Sequence, residues 1–203
     1  MKLTDHTKNW LFVVPGVVLL NASIMIGFSI GWWDLAWYRS SIEQGEIWRL
    51  ITGHFQHLSW NHWLMNQLGF ALILWLLPML LSRFRWLLAC VVGSVFISLG
   101  LWFTDIQGYV GLSGLLYTLL FYGTLIDRSI PFKVKSLLLS AVLLKVVVEQ
   151  FWPGLNQSTE DYIGGFVAVD AHLFGSIVGI LMAIAERFAR QKRSTMIDEN
   201  EDV

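Results

Sequence analysis

The chain has 203 residues, of which 55% are hydrophobic and only 14% charged, and its formal net charge is −1. A mean hydropathy of +0.57 exceeds what a soluble core of this size needs and fits a polytopic membrane protein. No basic run interleaved with aromatics offers a nucleic-acid groove, and the single cysteine, Cys90, excludes an intrachain disulfide or a cysteine-rich zinc site and reads as an inert buried thiol.

In chain order, Trp10 to Trp33 is uncharged and long enough to cross a bilayer once. It lacks an Ala-x-Ala-like cleavage site, so a retained span is expected and not a removed signal peptide. Further uncharged stretches run from Leu58 to Ser82, Trp86 to Thr104 and Ile106 to Ile126. Ser136 to Trp152 and Tyr162 to Ala185 are apolar apart from Lys145, Glu149 and Asp170. The expectation is an all-α, six-span protein in one domain, 1–193, followed by a mobile acidic tail, 194–203. No internal repeat is visible. Tryptophans gather near the span ends (Trp10, Trp32, Trp33, Trp60, Trp63, Trp86, Trp102, Trp152), as interfacial belts require.

Loop charges test that count independently. Lys2 and Lys8, Arg83 and Arg85, the Arg128/Lys133/Lys135 group, and the cluster from Arg187 to Arg193 fall before, between and after spans so as to place both termini in the cytoplasm. The alternate loops hold Asp105, or Glu160 and Asp161, and face out. Arg39 and Arg49 in the first outer loop go against the bias, though Asp34, Glu43 and Glu46 accompany them. That loop, Asp34 to Gly53, is long for a helix connection, and such loops are usually structured or functional.

Ser113 and His172 each stand fourteen positions ahead of the charge that ends their stretch, Asp127 and Glu186. At ~1.5 Å per residue both lie ~20 Å above the inner boundary of a ~30 Å hydrocarbon core. A hydroxyl and an imidazole at one depth are a candidate nucleophile and base. Gly111 and Gly114 flank Ser113, permitting a tight turn and close approach, and the helix start offers N–H groups to an anion. His62 and Asn66, i and i+4 on the second span, fall near the same outer level and are candidate oxyanion donors. Each signal has a plainer alternative: Gly-x-Ser-Gly serves helix packing, and His62 or Asn66 serves as interhelical glue. Gly175-x-x-x-Gly179 reads as a packing seam drawing the sixth span against the fourth. Their joint placement in the outer half of three spans favours a site, since intramembrane polar groups are costly.

As a set, these residues resemble the rhomboid family of intramembrane serine proteases. The resemblance rests on Trp48-Arg49, His57, His62, Asn66, Gly111-Leu112-Ser113-Gly114, Tyr117 and Ala171-His172-x-x-Gly175-x-x-x-Gly179. It implies a Ser113–His172 dyad without a triad acid, an oxyanion hole of His62, Asn66 and the Ser113 N–H, and Tyr117 stacked on the imidazole. It also implies a backbone hydrogen bond from His57 within the first loop, a transmembrane protein as substrate, the lipid bilayer as surroundings, and no cofactor. His54-x-x-His57 with His62 offers three nitrogens to a metal, but no clear carboxylate base accompanies them, so no metal is expected. Finer similarity lies in His54 to His62, Glu149-Gln150 and Val167 to His172, and in a bare six-span core without a cytoplasmic domain or seventh span. These look like the rhombosortases, a bacterial inner-membrane branch whose active site opens to the periplasm. That branch is implied to process proteins ending in a Gly-Gly motif, a membrane helix and a basic end, with hydrolysis or transfer to a lipid amine completing the cycle.

Three features stay open from sequence. Asp170 is ~200° around the helix from His172, so a capping, water-cavity or substrate-facing role is expected in place of a triad role. Lys145 and Glu149 form either a structural i, i+4 pair or, through Glu149, a receiver for substrate or an acceptor amine. A small transporter lined by Lys145, Glu149 and Asp170 is the competing class, disfavoured by the lack of an inverted repeat, and a catalytically dead binder is the third.

Overall fold

A computed structural model describes residues 4–201, with side chains as far as Lys192 apart from those of His6 and Pro153. The elements are helix α1 (Asp5–Ser29), strand β1 (Trp37–Tyr38), short helices α2 (Arg39–Glu43) and α3 (Arg49–Thr52), α4 (Trp60–Leu76), α5 (Arg85–Leu101), strand β2 (Gly108–Tyr109), α6 (Ser113–Ile126), α7 (Phe132–Phe151), short α8 (Gln157–Ile163) and α9 (Val169–Glu201). The expected acidic tail falls where side chains lie outside the described residues. Six helices are long, matching the apolar stretches in order. Three of these regions, Thr7–Ser29, Ser82–Leu101 and Val169–Lys192, are long and apolar enough to cross a membrane.

Two boundaries differ from the sequence expectation, each for a local reason. The second stretch ends as an α-helix at Leu76, because Pro78 lacks an N–H and drives Leu77 out of helical conformation (φ −119°, ψ 69°). The fourth does not become helical until Ser113. The residues before it are drawn into a two-residue antiparallel ribbon, Trp37 opposite Tyr109 and Tyr38 opposite Gly108, a small departure from an all-α chain. The 14 residues of α6 then extend ~21 Å, short of a ~30 Å hydrocarbon core.

Helix α6 lies at the centre and packs most closely against α9. Small residues make this possible: a β-carbon on Gly175 would stand 2.1 Å from Gly114 O, and one on Gly179 would stand 2.6 Å from Thr118 O. Thr118 Oγ1 crosses the seam to donate to Gly175 O at 3.0 Å. At the far end from Ser113, Glu186 of α9 receives Arg85 at 2.9 Å and is also bonded by Tyr122 and Arg190. Buried serines and threonines (Ser94, Ser98, Thr118, Thr124) sit in the helix interfaces, while Phe12, Leu68, Trp75, Phe132 and Leu137 are exposed on the outer faces. Such an arrangement suits a lipid surround, where association relies on close packing and interhelical bonds.

The first loop is tied down by its two arginines. Arg39 gives its Nη atoms to the carbonyls of Leu101, Trp102, Thr104 and Ile106, at 2.6 to 3.3 Å. Arg49 donates to Asp34 O at 2.9 Å and Ala36 O at 2.6 Å, and pairs with Glu46. Arg39 is held by carbonyls at the end of α5 and just beyond it, and Arg49 by groups of its own loop, which is a physical reason for two cations to stand where loop charge bias disfavours them.

Candidate active site

Gly111 adopts φ +120°, a backbone state other residues rarely enter, and turns the chain into α6. Its N–H donates to Gly53 O at 3.2 Å and its carbonyl accepts the Tyr109 hydroxyl at 2.6 Å. Ser113 follows as the first residue of α6. Across the glycine seam, His172 in the first turn of α9 places Nε2 at 3.0 Å from Ser113 Oγ. Tyr117, one turn below Ser113, lies nearly parallel to the imidazole with ring centroids 4.5 Å apart.

The sequence similarity implied no acid beside that imidazole. A carboxylate stands there: Glu149 Oε2 lies 2.9 Å from His172 Nδ1. A carboxylate accepts, so Nδ1 carries the proton and Nε2 is left to accept from the serine hydroxyl. Depth counting would have found Glu149, since it stands fourteen residues beyond Lys135, the same interval that separates Ser113 from Asp127 and His172 from Glu186. The Glu149 side chain is buried, with Oε2 on His172 and Oε1 paired with Lys145.

His62 and Asn66 face the same space from α4. A β-carbon on Gly111 would meet His62 Nε2 at 2.8 Å and Asn66 Nδ2 at 3.8 Å. The Leu58 N–H donates to His62 Nδ1 at 3.4 Å, which leaves the hydrogen on Nε2, toward Gly111. Asn66 Nδ2 is buried and has no hydrogen-bond partner among the described residues. Two N–H donors thus border the serine. They are held by the start of α4, where Ser59 Oγ accepts the His62 N–H at 3.2 Å and donates to Ile163 O at 2.6 Å. Ser113, Tyr117, His62, Asn66, Glu149 and His172 all line one cavity of about 500 Å³.

Other singled-out residues lie elsewhere. His57 is buried edge-on against the His62 ring at 5.0 Å, with the Phe55 backbone as its polar neighbour within the loop. His54 makes an anchoring bond instead, its Nε2 lying 3.1 Å from Ser94 O and 3.2 Å from Ser98 Oγ on α5. Trp48 is exposed at the start of α3, and Arg49 braces the loop. Asp170 lines a separate outer hollow with Thr104, Asp105 and Gln107.

The arrangement defines a class: a helical membrane protein with a serine, a histidine and two side-chain N–H donors lining one cavity. Residues 44–187 match the Rhomboid domain, and the chain belongs to the rhomboid family. It is a multi-pass membrane protein. It is 29% identical over 180 residues to the rhomboid protease GlpG of Yersinia enterocolitica, covering 87% of this chain and 61% of that one. With GlpG of Salmonella paratyphi A it shares 27% over 199 residues, covering 91% and 65%. With the rhomboid-family protein YdcA of Bacillus subtilis it shares 27% over 188 residues, covering 84% and 86%. The chain thus spans less than two thirds of the length of the GlpG relatives.

Proposed function

We propose that the protein is an intramembrane serine endopeptidase with Ser113 as nucleophile and His172 as general base. The observation that carries this reading is the 3.0 Å contact between Ser113 Oγ and His172 Nε2 in a cavity that the His62 imidazole and the Asn66 amide also line. Ser113 Oγ attacks a substrate carbonyl carbon as its proton passes to His172 Nε2. The oxyanion is held by His62 Nε2–H, Asn66 Nδ2 and the Ser113 N–H. His172 then gives the proton to the leaving amine as the C–N bond breaks. Water attacks the acyl-enzyme, its proton going to His172, and the acid product leaves as Ser113 regains its hydrogen.

The membrane setting of this reading is six spans with both termini cytoplasmic, in a bacterial inner membrane, and a cavity opening to the periplasm. Loop charge supports it, as does the cationic cluster of Arg85, Arg187 and Arg190 at the end of the bundle away from Ser113. The substrate is a single-span membrane protein cut near the outer face, specifically a C-terminal Gly-Gly sorting segment. That last assignment rests on the similarity of His54 to His62 and Glu149-Gln150 to rhombosortases, as does transfer of the acyl group to a lipid amine in place of water.

Purified protein in liposomes, mixed with a single-span substrate ending in a Gly-Gly segment, tests the reading by mass spectrometry of the products. New ends at one peptide bond, lost in Ser113→Ala, support it; cleavage that persists in Ser113→Ala overturns it. A substrate whose Gly-Gly pair is replaced and is still cut at the same rate overturns the sorting assignment alone.

A further inference from the structure

Four side chains from three helices close a ring beside the serine. His172 Nδ1 meets Glu149 Oε2 at 2.9 Å, Glu149 Oε1 pairs with Lys145, and Lys145 Nζ donates to the Tyr117 hydroxyl at 2.9 Å. The Tyr117 ring completes the circuit by stacking on His172. We infer that Glu149 is the third member of a Ser113–His172–Glu149 relay, with Lys145 as the cation that holds its carboxylate charged and aimed. Both are positioning residues acting through His172, and the inference rests on the reading of Ser113 and His172 given above.

Three observations separate this from an incidental ion pair. The Glu149 side chain is 5% exposed, and a carboxylate so enclosed is costly unless it is paired and bonded on both oxygens, as here. The order along α7 is Lys then Glu at i, i+4, the weaker direction for stabilising a helix, so helix stability is a poor reason for the pair. And the register of α7 against α9 is fixed one residue later, where Gln150 Nε2 donates to Val169 O at 3.0 Å. That bond keeps Glu149 level with His172. In the ground state the carboxylate selects the tautomer that leaves Nε2 free to accept from Ser113. As the serine proton arrives, it faces the new imidazolium charge across one hydrogen bond. No proton leaves Nδ1, so charge and atoms balance within the serine–histidine step.

The test compares Glu149→Gln, Glu149→Asp and Lys145→Met with wild type and Ser113→Ala, reading kcat and KM on a single-span substrate, melting temperature, and the ¹⁵N shifts of His172. Glu149→Gln is expected to lower kcat on the order of 10²–10⁴-fold with KM nearly unchanged. Glu149→Asp should recover part of that loss, and Lys145→Met should give a smaller loss of kcat. In wild type the shifts should report hydrogen on Nδ1. A Glu149→Gln protein that keeps kcat within about threefold while Ser113→Ala is dead overturns this inference and leaves the protease reading standing. Activity in Ser113→Ala would remove both. If Glu149→Gln does not fold, the wild-type shifts decide: hydrogen on Nε2 in the resting enzyme rejects the relay.

Discussion

Gly175 faces the carbonyl of Gly114 so closely that a single added carbon would stand 2.1 Å away. This contact lies one helical turn below the Ser113–His172 pair and sets how near the two helices come. Substituting Gly175→Ala must push α9 from α6, since the obstacle is backbone and not a movable side chain. We expect a loss of about 1–3 kcal/mol in stability from overpacking. Serine reactivity should fall further than the melting temperature suggests, measured as the rate of fluorophosphonate labelling below the melting point.

The two donors beside Gly111 should matter to the reaction, and Asn66 little to folding. Asn66→Ala removes an amide with no protein partner among the described residues, so no internal bond is lost. Turnover should drop on the order of 10²–10³-fold, with a melting temperature near wild type. His62→Ala should cost a similar factor in turnover, with some stability lost as well, because the ring also supports His57.

Tyr117 offers a separation of stacking from hydrogen bonding. Tyr117→Phe keeps the ring over His172 and loses only the bond from Lys145, so a reduction of a few-fold in kcat is expected. Tyr117→Ala removes both, and stacking is worth ~0.5–1.5 kcal/mol. Kinetics of the two variants side by side should show the alanine variant slower by up to about tenfold.

At the opposite end of the bundle, Glu186 gathers Arg85, Arg190 and Tyr122. Glu186→Ala leaves two guanidinium groups without their shared carboxylate. The expected cost is about 1–3 kcal/mol, seen as a lower melting temperature. Labelling of Ser113 at moderate temperature should be unchanged, because this anchor lies a full α6 length away.

Asp34, in the loop after α1, links stability to acid. Its burial opposes ionisation, but the Ala36 N–H, the Gln56 amide, the Tyr38 hydroxyl and nearby Arg49 outweigh that and hold the carboxyl below its ordinary 3.8. The stabilisation is therefore fully present above the ordinary carboxylate range and is lost as pH falls through the lowered value. Melting curves taken from neutral pH down to about 3 should show a steeper acid loss in wild type than in Asp34→Asn, whose amide does not titrate.

Much of this was legible from residue order. Six apolar stretches, four of them free of charge, correspond in order to the six long helices, and counting from the flanking charges puts Ser113 and His172 at one depth. What the counting missed was local. Pro78 cut α4 short, and Gly108–Tyr109 joined a ribbon instead of a helix, because strand pairing with Trp37–Tyr38 depends on a contact seventy residues distant in sequence. His54 and His57 carry the same residue type three positions apart, yet one bonds α5 and the other packs on a ring; nothing in their order separates those fates. Glu149 was readable by the same fourteen-residue interval that located the serine and histidine. Residue order alone also offers Glu149 the nearer partner Lys145 at i−4, so the sequence leaves its role open between the two.

The most direct measurement of the central claim is the site of covalent labelling by a fluorophosphonate in detergent-solubilised protein, mapped by peptide mass spectrometry. The account expects the adduct on Ser113, its formation abolished in Ser113→Ala and His172→Ala. An adduct on any other residue, or labelling undiminished in Ser113→Ala, would contradict it.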